Sequence, residues 1–221
     1  MKGSTDRIIQ DLIVRHPQLD CIGDKIIHAV SKMIEAYRNG KKMLICGNGG
    51  SAADSIHIVG ELMKDFAISR KLPAEMQEKI RAIADEHAEY ITANLTGSLR
   101  AISLVSEIAL NTAYANDKAA DLCFAQQVFG NADFGDILIA ISTSGNSMNI
   151  IYAAMVAKAK GVTVVALTGT SGGKLENYCD CLINVPETET YRVQELHLPV
   201  YHTICLALEN EFFGDQYYEA R

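Results

Sequence analysis

Apolar positions along this chain follow two rhythms. From about Ile22 to Arg38 they recur at Ile26, Ile27, Val30, Met33 and Ile34, a helical period. Gly40 follows where a glycine often closes a helix. An earlier helix precedes this one, so a helical hairpin over residues 1–40 is expected to open the chain. The rhythm then changes to short apolar runs without alternation: Lys42–Cys46, Arg100–Leu104, Asp136–Ser142 and Val162–Leu167, with Cys181–Val185 ahead of a last apolar helix. Strands that do not alternate are covered on both faces, and helical stretches between them mark a parallel sheet. The expected fold is α/β: a three-layer sandwich around a five-stranded parallel sheet, in one domain over 1–221. Ligands of such sheets bind beyond the carboxyl ends of the strands.

One stretch breaks this order. Pro73–Leu95, PAEMQEKIRAIADEHAEYITANL, places Met76, Ile80, Ile83, His87, Tyr90 and Ile91 along one side and charge on the other. It predicts a long amphipathic helix within an inserted segment, 71–98, that lids the site or bridges protomers.

Composition narrows the classes. The chain has 221 residues, 48% of them hydrophobic, enough for one sizeable core. A net charge of -7 without a basic cluster argues against nucleic acid as a partner. No apolar run approaches the ~20 residues that span a bilayer, so no membrane partner is expected. Six cysteines, none in a CxxC pair, and no signal peptide read as free thiols in a reducing, cytoplasmic setting. Cys179 and Cys181 fall on one face of a short strand with no His nearby, which is a poor metal site.

Three groups of residues carry candidate chemistry. Gly47-Asn48-Gly49-Gly50 follows a strand and leads into a helix that Ser51 is placed to cap. Glycines let backbone approach a ligand, and a helix start offers free N–H groups. The spacing is neither that of a dinucleotide fingerprint nor that of a P-loop. The strand DILIAIS runs into Thr143-Ser144-Gly145-Asn146-Ser147, ahead of a helix with Ile150, Ile151, Ala154 and Ala157 inward. Four hydroxyls here, from Ser142, Thr143, Ser144 and Ser147, suit a phosphate, whereas a helix cap needs only one. His57 and Glu61, four apart, share one helix face. Gln194, His197 and His202 are polar positions in the otherwise apolar last helix and require partners there.

GNGGSAAD, HIVGEL, Asn116-Asp117, STSGNS, LTGTSGGKL and RVQELH with His202 occur in register from Gly47 to His202. Together they resemble the phosphoheptose isomerase family, built on the sugar isomerase (SIS) domain. The resemblance implies interconversion of sedoheptulose 7-phosphate and D-glycero-D-manno-heptose 7-phosphate in heptose biosynthesis. It implies one zinc per site and a homotetramer with sites at subunit interfaces. By the same resemblance His57, Glu61, Gln194 and His202 would hold the metal, and Ser142, Thr143, Ser144 and Ser147 the phosphate. Asn48, Gly49, Gly50, Ser51, Asn116 and Asp117 would contact the sugar, joined by Glu61 and Gln194, while Glu61 and His202 would move protons.

That chemistry is coherent. A ketose becomes an aldose when a proton leaves one carbon and returns to its neighbour, which needs a base, an acid and stabilisation of the enediolate. Metal ligation and proton transfer compete for Glu61 and His202. Gln194 and His202 are about 12 Å apart along a straight helix, so either Pro199 bends it or the two serve one site from different subunits. The family's Arg four residues after the glutamate is Asp65 here, Tyr191 replaces a small or acidic residue, and the 71–98 insertion leaves room for another phosphosugar. Non-catalytic relatives that bind the replication initiator tend to lose the final histidine, which is retained as His202. A sugar-phosphate sensor would need only the serine loop.

Overall fold

A computed structural model describes residues 1–214. Two helices, α1 (Gly3–Arg15) and α2 (Gly23–Arg38), precede strand β1 (Met43–Cys46). Gly40, at φ +68°, lets the chain reverse after α2 and enter the sheet. Then follow α3 (Gly50–Met63), α4 (Ala74–Arg81), α5 (Ala88–Asn94) and β2 (Ala101–Ser103). The second half runs α6 (Ile108–Tyr114), α7 (Cys123–Asn131), β3 (Ile137–Ile141), α8 (Met148–Ala159), β4 (Thr163–Thr168), β5 (Cys181–Asn184) and α9 (Thr190–Phe213).

The five strands form one parallel sheet in the order β2-β1-β3-β4-β5. Their side chains divide between two cores, as the absence of alternation requires. Met43, Ile45, Ile137, Ile139, Val165 and Ile183 pack with α1, α2, α3 and α9, whereas Leu44, Leu138, Ala140 and Val164 pack with α7 and α8. The expected three-layer sandwich is therefore the observed one.

The inserted segment departs from expectation. The helix predicted over Pro73–Leu95 is broken: α4 ends at Arg81, Asp85 takes a positive φ of 42°, and α5 starts at Ala88. Met76, Ile83 and Tyr90 are exposed, so among the described residues the apolar stripe has no core beneath it. Helical propensity without a buried face does not sustain one long helix. Gly97 N–H donates to the Arg70 carbonyl at 2.6 Å and Leu99 N–H to the Leu62 carbonyl, so the insertion leaves and re-enters the fold at one point.

Candidate active site

Neighbouring strands β1 and β3 aim two loops at the same end of the sheet. After β1, a Cβ on Gly47 would meet the Ser51 carbonyl oxygen at 2.4 Å. Gly49 (φ 56°, ψ -120°) is the residue that caps α3; Ser51, expected there, is instead buried in the first helical turn. The tight turn displaces the cap by two residues, because only glycine accepts that backbone. At Gly50 a Cβ would lie 2.5 Å from Gln194 Nε2, so the bare backbone there is what admits Gln194.

After β3, the serine loop turns at Gly145, where a Cβ would stand 1.9 Å from the Gly172 carbonyl oxygen. The Leu175 N–H and Lys174 N–H donate to Gly145 O and Asn146 Oδ1, so the start of the turn after Gly173 braces this loop from behind. Ser147 is the residue at the start of α8, yet its hydroxyl makes no capping bond; Ser142 Oγ bonds it at 3.2 Å instead. The Ser144 hydroxyl accepts from Asn146 N–H, and Thr143 contributes its carbonyl to Gly169 N–H. The two loops are joined by a reciprocal amide pair, Asn48 with Asn149, at 2.9 Å in each direction.

Two turns down α3, His57 Nε2 lies 3.2 Å from Glu61 Oε1. Helix α9 runs alongside, and the His202 ring stands edge-on to His57 at 5.0 Å, with Phe66 on its other side. The sequence thus assembles His57, Glu61 and His202, whereas Gln194 is stationed at Gly50, seven residues nearer the start of α3. Helix α9 continues through Pro199. Burial works against charge on Glu61, but the Lys64 ammonium, 2.6 Å from Oε2, outweighs it and holds the carboxyl below its ordinary range. Burial first, then the neighbouring His57, lowers the pKa of His202 and favours its neutral form. His197 is spoken for: fully buried, it donates Nε2–H to the Thr168 carbonyl and pins α9 to the end of β4.

Two imidazoles and a carboxylate are a chemically sound donor set for zinc. Among the described residues His202 Nε2 is buried with no hydrogen-bond partner, which suits a ligand awaiting an ion. Among the described residues no three His, Cys, Asp or Glu are gathered into a finished cluster, and Lys64 holds one Glu61 oxygen. An ion at Glu61 would therefore displace Lys64, whose side chain is 59% exposed and free to swing away.

Asn116 and Asp117 lie exposed in a π-helical turn after α6, where the Asn116 amide donates to Asp117 Oδ1 at 2.8 Å. Beyond that bond, neither is hydrogen-bonded to another candidate site residue among the described residues. Sequence reasoning missed Lys64, which supplies the positive charge that Asp65 does not. Asp65 accepts the Arg70 N–H instead. It also missed Tyr201 and Asp54, which contact each other across α9 and α3, and Asn149. The spacing of Asp54 three residues before His57 was the available signal.

The fold and these loops define a sugar-phosphate domain, and comparison with known proteins agrees: the SIS domain model matches residues 19–93 and 92–169. Phosphoheptose isomerase of Aneurinibacillus thermoaerophilus is 38% identical over 87% of this chain and 84% of its own. The structures of phosphoheptose isomerases from Neisseria gonorrhoeae (TM-score 0.70, 30% identity, 94% of each chain) and Francisella tularensis (TM-score 0.72, 29% identity, 89% and 91%) superpose on it. The chain belongs to the phosphoheptose isomerase family, and it is an aldose–ketose isomerase acting on a phosphosugar.

Proposed function

We propose that the substrate is sedoheptulose 7-phosphate, converted to D-glycero-D-manno-heptose 7-phosphate at a zinc-dependent site in a cytoplasmic homotetramer. The observation that carries this reading is the meeting of His57, Glu61 and His202 on α3 and α9, beside two joined loops suited to a phosphosugar. The serine hydroxyls and the unfilled first turn of α8 receive the phosphate without a cation from the loop itself. The glycine turn, with Asn48 and Gln194, faces the sugar hydroxyls.

His57, Glu61 and His202 would hold the zinc, with Gln194 joining from its own or a neighbouring subunit. When bound, zinc supplies fixed positive charge where negative charge gathers on the substrate oxygens. Glu61, kept ionised, takes the proton from the carbon beside the carbonyl and returns it to the neighbouring carbon. Where His202 is off the ion, its neutral ring relays the hydroxyl proton from one oxygen to the other, so that no net proton is gained or lost. The retained His202 favours catalysis over a role as a regulator that binds the replication initiator.

The test is to incubate the protein with sedoheptulose 7-phosphate and zinc and follow aldose formation by NMR. Turnover should fall at least about 100-fold in His202→Ala, the lower bound for loss of a positioned proton carrier. Absence of turnover in the wild type would overturn the heptose assignment.

A further inference from the structure

The Tyr201 hydroxyl makes two contacts where a buried tyrosine needs only one. It donates to Asp54 Oδ1 at 3.3 Å and lies 3.0 Å from His57 Nδ1. Both partners lie on α3, three residues apart, and the tyrosine ring stands edge-on to His57 at 5.6 Å. A hydroxyl has one proton, and a carboxylate can only accept. With that proton committed to Asp54, the phenol oxygen faces Nδ1 as an acceptor, and Nδ1 must carry a hydrogen. A neutral imidazole protonated at Nδ1 has its lone pair on Nε2, the atom 3.2 Å from Glu61 Oε1. Two acceptors then face one another across a gap that only a proton or a cation satisfies.

We infer that Tyr201, anchored by Asp54, is a positioning residue that fixes the Nδ1–H tautomer of His57 and presents its Nε2 lone pair beside Glu61. The consequence for metal affinity rests on the zinc reading above, but the tautomer itself does not. The partner of the ring nitrogen that faces away from a ligand position fixes both ring orientation and basicity. Tyr201 precedes His202 directly, so one turn of α9 supplies a candidate ligand and the group that orients another.

The tautomer is read in the metal-free protein from long-range ¹H–¹⁵N spectra at alkaline pH, with His57 signals assigned by their loss in His57→Gln. The wild type should show the Nδ1–H form. Tyr201→Phe, which keeps the ring and its packing, should lose that preference. Asp54→Ala frees the hydroxyl proton to turn toward Nδ1 and should switch His57 to the Nε2–H form. Zinc affinity by calorimetry should fall about 10- to 100-fold in Tyr201→Phe. A wild-type His57 in the Nε2–H form, or spectra unchanged in both variants, would overturn the inference. Since the spectra involve neither metal nor substrate, they decide it independently of whether the heptose assignment holds.

Discussion

His197 shows how one residue can look like a ligand and be something else. In the sequence it sits between Gln194 and His202 and shares their chemistry. In the fold it is sealed between α9 and the end of β4, with one nitrogen on the Thr168 carbonyl and Nδ1 unpartnered. Burial pushes its pKa down to about 4. The unfolded chain binds a proton there near pH 6.5, whereas the folded chain resists it until about pH 4. Stability from this group is therefore complete above pH 6.5 and is lost as pH falls toward 4, at a cost on the order of 3 kcal/mol. Urea unfolding across this range should show the loss, and His197→Gln, which keeps a donor for Thr168, should flatten the slope by close to one proton. An unaltered slope in that variant would refute the assignment. Glu61 teaches the complementary lesson: the sequence shows its His partner four residues earlier, but not Lys64 three residues later reaching back to the other oxygen.

At the scale of elements, the insertion and the site meet at Arg70. Its guanidinium is fully buried and donates to Glu209 Oε1 and to the carbonyls of Leu62 and Glu61 at the end of α3. Glu209 in turn accepts the backbone N–H groups of Phe66, Ala67 and Ile68. Each guanidinium nitrogen and each carboxylate oxygen in this bolt has a partner, which is the condition under which a buried ion pair is tolerated. It locks α3 against α9 two turns beyond His202 and keeps Glu61 in register with that histidine. Arg70→Met would leave Glu209 buried with its charge unpaired and should cost about 3–5 kcal/mol in urea unfolding. A loss under about 1 kcal/mol would show the bolt to be dispensable. None of this was legible beforehand, because Arg70 and Glu209 are far apart in sequence and neither lies in a recognisable motif. The strands and α8 were legible because burial on two faces leaves a local mark on Asp136–Ser142 and Ile150–Ala157. The 73–95 helix misled for the opposite reason: its stripe of Met76, Ile83 and Tyr90 is periodic, but periodicity alone does not say whether anything covers it.

For the whole molecule the site raises a question of completeness. His57 is half exposed, and the apolar residues around it are exposed as well: Ile56 and Met63 share a face of α3, and Leu198 shares a face of α9 with His202. A Cβ on Gly60, between them, would meet nothing within 4 Å, so backbone is open to close approach there. Apolar side chains rimming a polar cluster are what a subunit interface leaves visible on one protomer. The same face would let Gln194 of one subunit and His202 of another serve a single ion, which resolves their separation along α9 without bending the helix at Pro199. In the proposed tetramer a charge on this face would be buried without a partner, so Ile56→Glu should lower the mass measured by light scattering below that of the wild type. Its isomerase rate should fall with the mass, while the near-neutral unfolding midpoint of each protomer stays close to that of the wild type, since Ile56 lies outside both cores. A variant that keeps the wild-type assembly would place Ile56 off the interface, and one that dissociates and keeps full activity would place the complete site within a single chain.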